Sequence, residues 1–137
     1  MSTEFVRLNH GWNAEPNAPH VDVGVVGSNL LVSFRANPYQ FPSFECGQVI
    51  CLQFTDVWRY AITDVNDEGW CLGQCRFSKI APSWGEFYEV SGDLHLESFA
   101  GKWKLVAESP ASNLRHFLFY FRDETFECDA VSWKRIA

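Results

Sequence analysis

Residues 21 to 34, VDVGVVGSNLLVSF, alternate apolar and polar positions on both sides of Gly27-Ser28. A two-residue connection with glycine first fits a type II′ turn, whose backbone twist matches that of the two strands it joins. Val26 then faces Asn29, and counting outward sets Val21, Val23 and Val25 beside Phe34, Val32 and Leu30. Six apolar residues fall on one face, while Asp22, Gly24, Val26, Asn29, Leu31 and Ser33 share the other. The stretch is a hairpin with one core side.

The rest of the chain has the same texture. No window keeps apolar residues at helical spacing, and no internal repeat or low-complexity tract interrupts the short alternating runs. A second hairpin is RHFLFYFRDETFECDA, residues 115 to 130, where a loop at 122 to 125 sets Phe121 against Phe126, Phe119 against Cys128 and Phe117 against Ala130. A third is centred on Asn66-Asp67-Glu68-Gly69, with Trp58, Tyr60 and Ile62 sharing a face of its first strand. Further strand candidates lie near 4 to 8, 48 to 55, 84 to 90, 93 to 99, 102 to 107 and 131 to 136. About ten short strands at this spacing predict an all-β antiparallel barrel or sandwich, a single domain over residues 1 to 137. The 22 aromatic residues (twelve Phe, six Trp, four Tyr) suit such a fold and supply a large apolar payload.

Two segments depart from the strand pattern. NHGWNAEPNAPH, residues 9 to 20, is too rich in Pro and Asn to form a central strand. It is expected to plug one end of the barrel or sandwich, with Trp12 as its anchor. ESPASNLR, residues 108 to 115, offers Ser109 as a cap and Pro110 at the first helical position, which allows one helical turn.

Charge and cysteine usage exclude several classes of function. The formal net charge is -6 and the eleven Lys and Arg are scattered, so neither a phosphate-tracking surface nor an anionic membrane face is expected. The N-terminus has no secretory pattern and no stretch is long and apolar enough for a membrane span, which predicts a cytoplasmic protein. Five cysteines, at C-x4-C and C-x3-C spacing plus Cys128, lack the C-x2-C pairs of zinc sites, and His10, His20, His95 and His116 show no metal-ligand spacing. Reduced thiols acting as small hydrophobes, with no metal and no cofactor, are the expectation.

No nucleophile elbow or phosphate-binding loop is present, and no catalytic residue is assigned. His116 lies diagonal to Asp129 in the second hairpin, and an exposed cross-strand pair accounts for it; Cys128 points to the opposite face. His116, Leu118 and Tyr120 form either an interface with another chain, through which a homodimer is allowed, or a face covered by a loop such as 9 to 20. In SWGEFYEVSGD, residues 83 to 93, a strand reading puts Trp84, Glu86 and Tyr88 on one face, a row resembling the chemistry of sugar platforms and of interface hot spots. Trp12 and Glu15 in the N-terminal loop are the other ligand-binding candidates, because loops on a β scaffold carry function. The expected function is non-catalytic binding of a small, partly apolar or sugar-like ligand. An acidic inhibitor or immunity-type module for a basic protein partner is the alternative, and a small carbohydrate-active or isomerase-type enzyme comes third.

Overall fold

The computed structural model describes residues 3–63, 77, 81–92 and 103–137. Among them are eight strands and no helix: β1 (Glu4–Arg7), β2 (Asp22–Val26), β3 (Asn29–Arg35), β4 (Val49–Thr63), β5 (Phe87–Ser91), β6 (Lys104–Leu105), β7 (Arg115–Tyr120) and β8 (Thr125–Arg135). All pairings are antiparallel within one sheet, ordered β1-β5-β7-β8-β4-β3-β2, with β6 on β4. The all-β expectation holds, and two of the strands, β4 and β8, are longer than expected. The candidate at 48 to 55 and the strand carrying Trp58, Tyr60 and Ile62 are one strand, β4, because a left-handed residue at Asp56 (φ 52°) and a register shift between Val57 and Arg59 bend the chain without taking it out of the sheet. Residues 125 to 135 likewise run on as β8. The 93 to 99 candidate and the turn at 66 to 69 lie outside the described residues.

The β2–β3 hairpin has the expected register, Val26 opposite Asn29 and Val23 opposite Val32, with Gly27 at φ 61° as the first turn residue. Leu30, Val32 and Phe34 are buried, whereas Val25 near the tip is exposed. In the β7–β8 hairpin the pairing differs by two residues from the count made on sequence. Phe117 faces Cys128 and Phe119 faces Phe126, because the turn closes at Phe121–Glu124 through a 2.8 Å hydrogen bond from the Phe121 amide to the Glu124 carbonyl. An even shift keeps every side chain on its predicted face. It also brings His116 directly opposite Asp129 rather than diagonal to it.

The sheet curls tightly around its aromatic face. Phe34 on β3 and Phe119 on β7 are three places apart in the strand order, about 14 Å in a flat sheet. Their ring centroids are 5.3 Å apart. Phe54 on β4 and Phe87 on β5, also three places apart, are 6.0 Å apart. The N-terminal loop crosses this concave face. Leu8 donates its amide to Phe87 O beside β5, while Glu15 donates to Arg35 O, and Arg35 to Pro19 O, beside β3. Between those moorings Trp12 is buried against Phe34, Phe87, Phe119 and Trp133. The loop is therefore pinned at both ends and anchored in the core by Trp12.

The convex face of the central strands is also covered. Leu118, Tyr120, Tyr88 and Val90 are buried with Phe77 and Ala81, and Phe5 and Trp84 pack against them. Of the two readings of the His116–Leu118–Tyr120 face, this is the covered one; among the described residues its cover includes Phe77 and Ala81 rather than residues 9 to 20. A strand buried on both faces needs no polar alternation, and HFLFYF has none. Residues 108 to 114 form bends and a turn instead of a helical turn. The amides of Val106 and Ala107 are both taken by Trp58 O on β4, which leads the chain away from a helical path.

Truncation tests this double burial. Tyr120→Ala and Trp12→Ala each remove a buried ring and are expected to cost about 3–5 kcal/mol in urea denaturation, with unchanged association state in gel filtration. Unchanged stability with an altered association state for Tyr120→Ala would show that its face is an interface.

Candidate functional site

Two polar constellations occupy this scaffold. The first sits on the convex face, where the β7–β8 and β4–β8 registers place His116, Asp129 and Arg59 in one row. His116 Nδ1 is 2.7 Å from Asp129 Oδ1, and His116 Nε2 is 2.6 Å from Glu127 Oε1. Arg59 Nε donates to Asp129 Oδ2 at 2.7 Å. The Arg59 guanidinium lies 4.1 Å from the Trp58 ring and 4.1 Å from the Trp103 ring. His116, Glu127 and Asp129 are all buried, so the pair expected to be exposed is an interior one.

Ionised carboxylates only accept hydrogen bonds, so a ring facing one at each nitrogen fits the doubly protonated form. Burial by itself lowers the His116 pKa, but the hydrogen bonds and charges of Asp129 and Glu127 outweigh it and hold the imidazole above its ordinary value. Burial likewise pushes the Asp129 carboxyl up; His116 and Arg59 more than reverse this and hold it below the usual range. With both imidazole nitrogens engaged, the group is a structural clamp with no ring nitrogen left for a substrate. Cys128 is on the opposite face, in the aromatic core, and burial raises its thiol well above the usual range, which removes it as a nucleophile. Cys46 is exposed and Cys51 half-buried, so only Cys128 of the described thiols behaves as a core hydrophobe; Cys71, Cys75 and His95 lie outside the described residues. His10 and His20 are exposed. Among the described residues no group of three or more His, Cys, Asp or Glu is arranged to hold a metal ion.

The second constellation is a cleft of about 460 Å³ between the N-terminal loop and the turn before β5. Asn13, Glu15 and Asn17 line one side, Trp84, Gly85 and Glu86 the other, with Asn37, Gln40, Tyr120 and Arg122 completing it. Backbone geometry explains its second wall. Gly85 has φ 83°, which breaks the strand that the alternation of Trp84, Glu86 and Tyr88 suggested. Trp84 and Glu86 precede β5 and turn toward the cleft. Tyr88, inside β5, is buried, and its hydroxyl donates to Ser83 O at 3.2 Å. Trp84 stacks on Tyr120 with centroids 4.9 Å apart, giving the cleft an apolar side.

Two buried asparagines join the walls. Asn9 Nδ2 donates to Glu86 Oε2 at 2.6 Å and to Trp12 O at 3.2 Å, while its Oδ1 accepts from the Phe87 amide at 3.1 Å. Asn13 Nδ2 donates to Gly85 O at 2.7 Å. Opposite them, Arg122 Nη1 donates to Asn17 O at 2.6 Å. Glu15 is spent within its own loop, accepting from the Asn17 and Ala18 amides at 2.8 and 2.9 Å. Asn37 Oδ1 accepts from the Tyr39 and Gln40 amides, and the Asn37 Nδ2 makes no hydrogen bond among the described residues.

Of the sequence-predicted candidates, Glu15, Trp84 and Glu86 meet at this cleft. Trp12 lies beneath it as the anchor of one wall, and Tyr88 belongs to the core. Asn37, Gln40, Tyr120 and Arg122 were not predicted for this site. Asn37 follows β3 and Arg122 sits at a hairpin tip, and no local pattern connects either to residues 13 or 84. Comparison with protein-family models, curated proteins and solved structures finds no match.

The clamp makes stability depend on pH with a defined sign. A histidine raised in the folded state stabilises fully below its unfolded pKa near 6.5, and the contribution is lost as pH rises through the folded value. Unfolding free energy measured in urea is therefore expected to fall from pH 6.5 upward. Asp129→Asn, which leaves Arg59 and His116 without their shared partner, is expected to cost about 3 kcal/mol at pH 6. A wild-type stability that rises over this range would mean that the ring is neutral in the fold.

Proposed function

We propose that this chain is a non-catalytic binding protein that takes a small, hydroxyl-rich and partly apolar ligand of sugar type in the cleft beside Trp84. The observation that carries this reading is the meeting, in one ligand-sized cleft, of two segments far apart in sequence, one an amide-rich loop and the other a Trp-Gly-Glu turn. Sugars present a mixture of donors and acceptors around an apolar ring. The cleft offers the side-chain amides of Asn37 and Gln40, the Glu86 carboxylate and the Trp84–Tyr120 pair. In this reading the curled sheet serves as a barrel-like holder closed at one end by residues 9 to 20, and the protein works in the cytoplasm, where Cys46 stays a thiol.

Titration of a panel of mono- and disaccharides against the protein, followed by calorimetry and tryptophan fluorescence, tests the assignment. Trp84→Ala is expected to weaken the best ligand by at least tenfold, about 1.4 kcal/mol. Gln40→Ala, an exposed position, should weaken it several-fold at unchanged stability. A panel without any binder at millimolar concentration, or a Gln40→Ala variant indistinguishable from wild type, overturns the reading.

A further inference from the structure

The hydrogen-bond inventory of the cleft narrows the ligand class, an argument that rests on the binding role proposed above. We infer that the ligand carries a protonated amine, as in an amino sugar, and that the ammonium seats on Glu86. Among the described residues, each charged group around the cleft has an assignable partner except one carboxylate oxygen. Arg122 is turned to the loop, with Nη1 on Asn17 O at 2.6 Å, and its Nε is 3.9 Å from Asp123. Glu15 is occupied at both oxygens by amides of its own turn. Glu86 is half-buried; its Oε2 accepts from Asn9 Nδ2 at 2.6 Å, and its Oε1 accepts no hydrogen bond among the described residues. Asn9 is itself buried and holds Phe87 N and Trp12 O as well, so the carboxylate is fixed in place.

A half-buried carboxylate fixed by a neutral amide and meeting no cation among the described residues is an acceptor with unused capacity. A hydrogen bond from an ammonium to a carboxylate is roughly twice as strong as one between neutral groups, and this difference favours an amine over a hydroxyl at that position. Trp84, half-buried and stacked on the buried Tyr120, lies beside it as an aromatic ring of the kind that accompanies ammonium recognition. Across the cleft, Asn37 is nine-tenths buried and its Nδ2 donor is unused, which suits a hydroxyl oxygen on the same ligand. A net charge of -6 attracts such a cation at long range. A cationic head beside hydroxyls on one small ring satisfies these groups together.

The test uses a matched pair of probes, the disaccharide of β-1,4-linked glucosamine and its N-acetylated form, titrated calorimetrically at pH 6 against wild type and Glu86→Gln. The expected result is at least tenfold tighter binding of the amine form to wild type. That preference should shrink to within twofold in Glu86→Gln. Wild type gives a second measurement should the variant fold poorly: raising the pH to 9 neutralises the amine and is expected to remove the preference. Equal affinity of wild type for the two forms overturns the amine assignment and leaves the sugar-binding reading standing. Absence of binding by both forms and by the wider saccharide panel overturns both.

Discussion

A strand with protein on both faces has no solvent side on which to put a charge, and β7 and β8 are such strands. Glu127 and Asp129 nevertheless point inward from β8. Their presence is tolerable because His116 spans both of them from β7 and Arg59 reaches Asp129 from β4. The same registers that align these charges set Phe117 on Cys128 and Phe119 on Phe126 across the other face. A slip of one residue would move the phenylalanines out of the concave core and the carboxylates into it. Charge pairing on one face and aromatic packing on the other thus specify one register between them.

The cleft inherits its geometry from that hairpin. Tyr120 ends β7, Phe121 opens the turn and Arg122 sits at its tip, so one wall of the cleft is set by the β7–β8 closure. The facing wall is an irregular loop made rigid from below. Trp12 fixes it in the aromatic core, Asn9 and Asn13 tie it to the Glu86 and Gly85 segment, and backbone hydrogen bonds fix its far end beside β3. A preformed site on such a loop loses little conformational freedom when it is occupied.

Local chemistry made much of this visible in the sequence. Gly27-Ser28 dictated both a turn and a register, and the loop at 9 to 20 was marked by its prolines, with Trp12 its one large apolar residue. The face assignments of His116, Leu118 and Tyr120 followed from period two, but whether that face was wet or dry depended on Phe77 and Ala81, which no pairing rule connects to it. FECDA resembles a half-exposed strand because its acids alternate with core residues; the partners that let the acids be buried lie 11 to 70 positions away. Trp84, Glu86 and Glu15 were singled out by residue type, yet the strand proposed for the first two was wrong, since Gly85 allows a conformation that alternation cannot detect. The cleft itself is a long-range product: Asn13 meets Gly85 across 72 positions and Arg122 meets Asn17 across 105.

The order in which the chain leaves the ribosome gives the β4–β8 ladder a further meaning. Leu52 pairs with Arg135 and Thr63 with Thr125, so one flank of the longest strand stays without its partner until nearly the whole described chain has been made. Until then β4 presents Phe54, Leu52 and Ile50 on a ribbon completed on one side only, by β3. Such a nascent chain carries an open, apolar edge from the synthesis of β4 to that of β8, a state that invites pairing with the wrong chain. The architecture that buries charges so completely in the finished molecule leaves the half-made one dependent on β8.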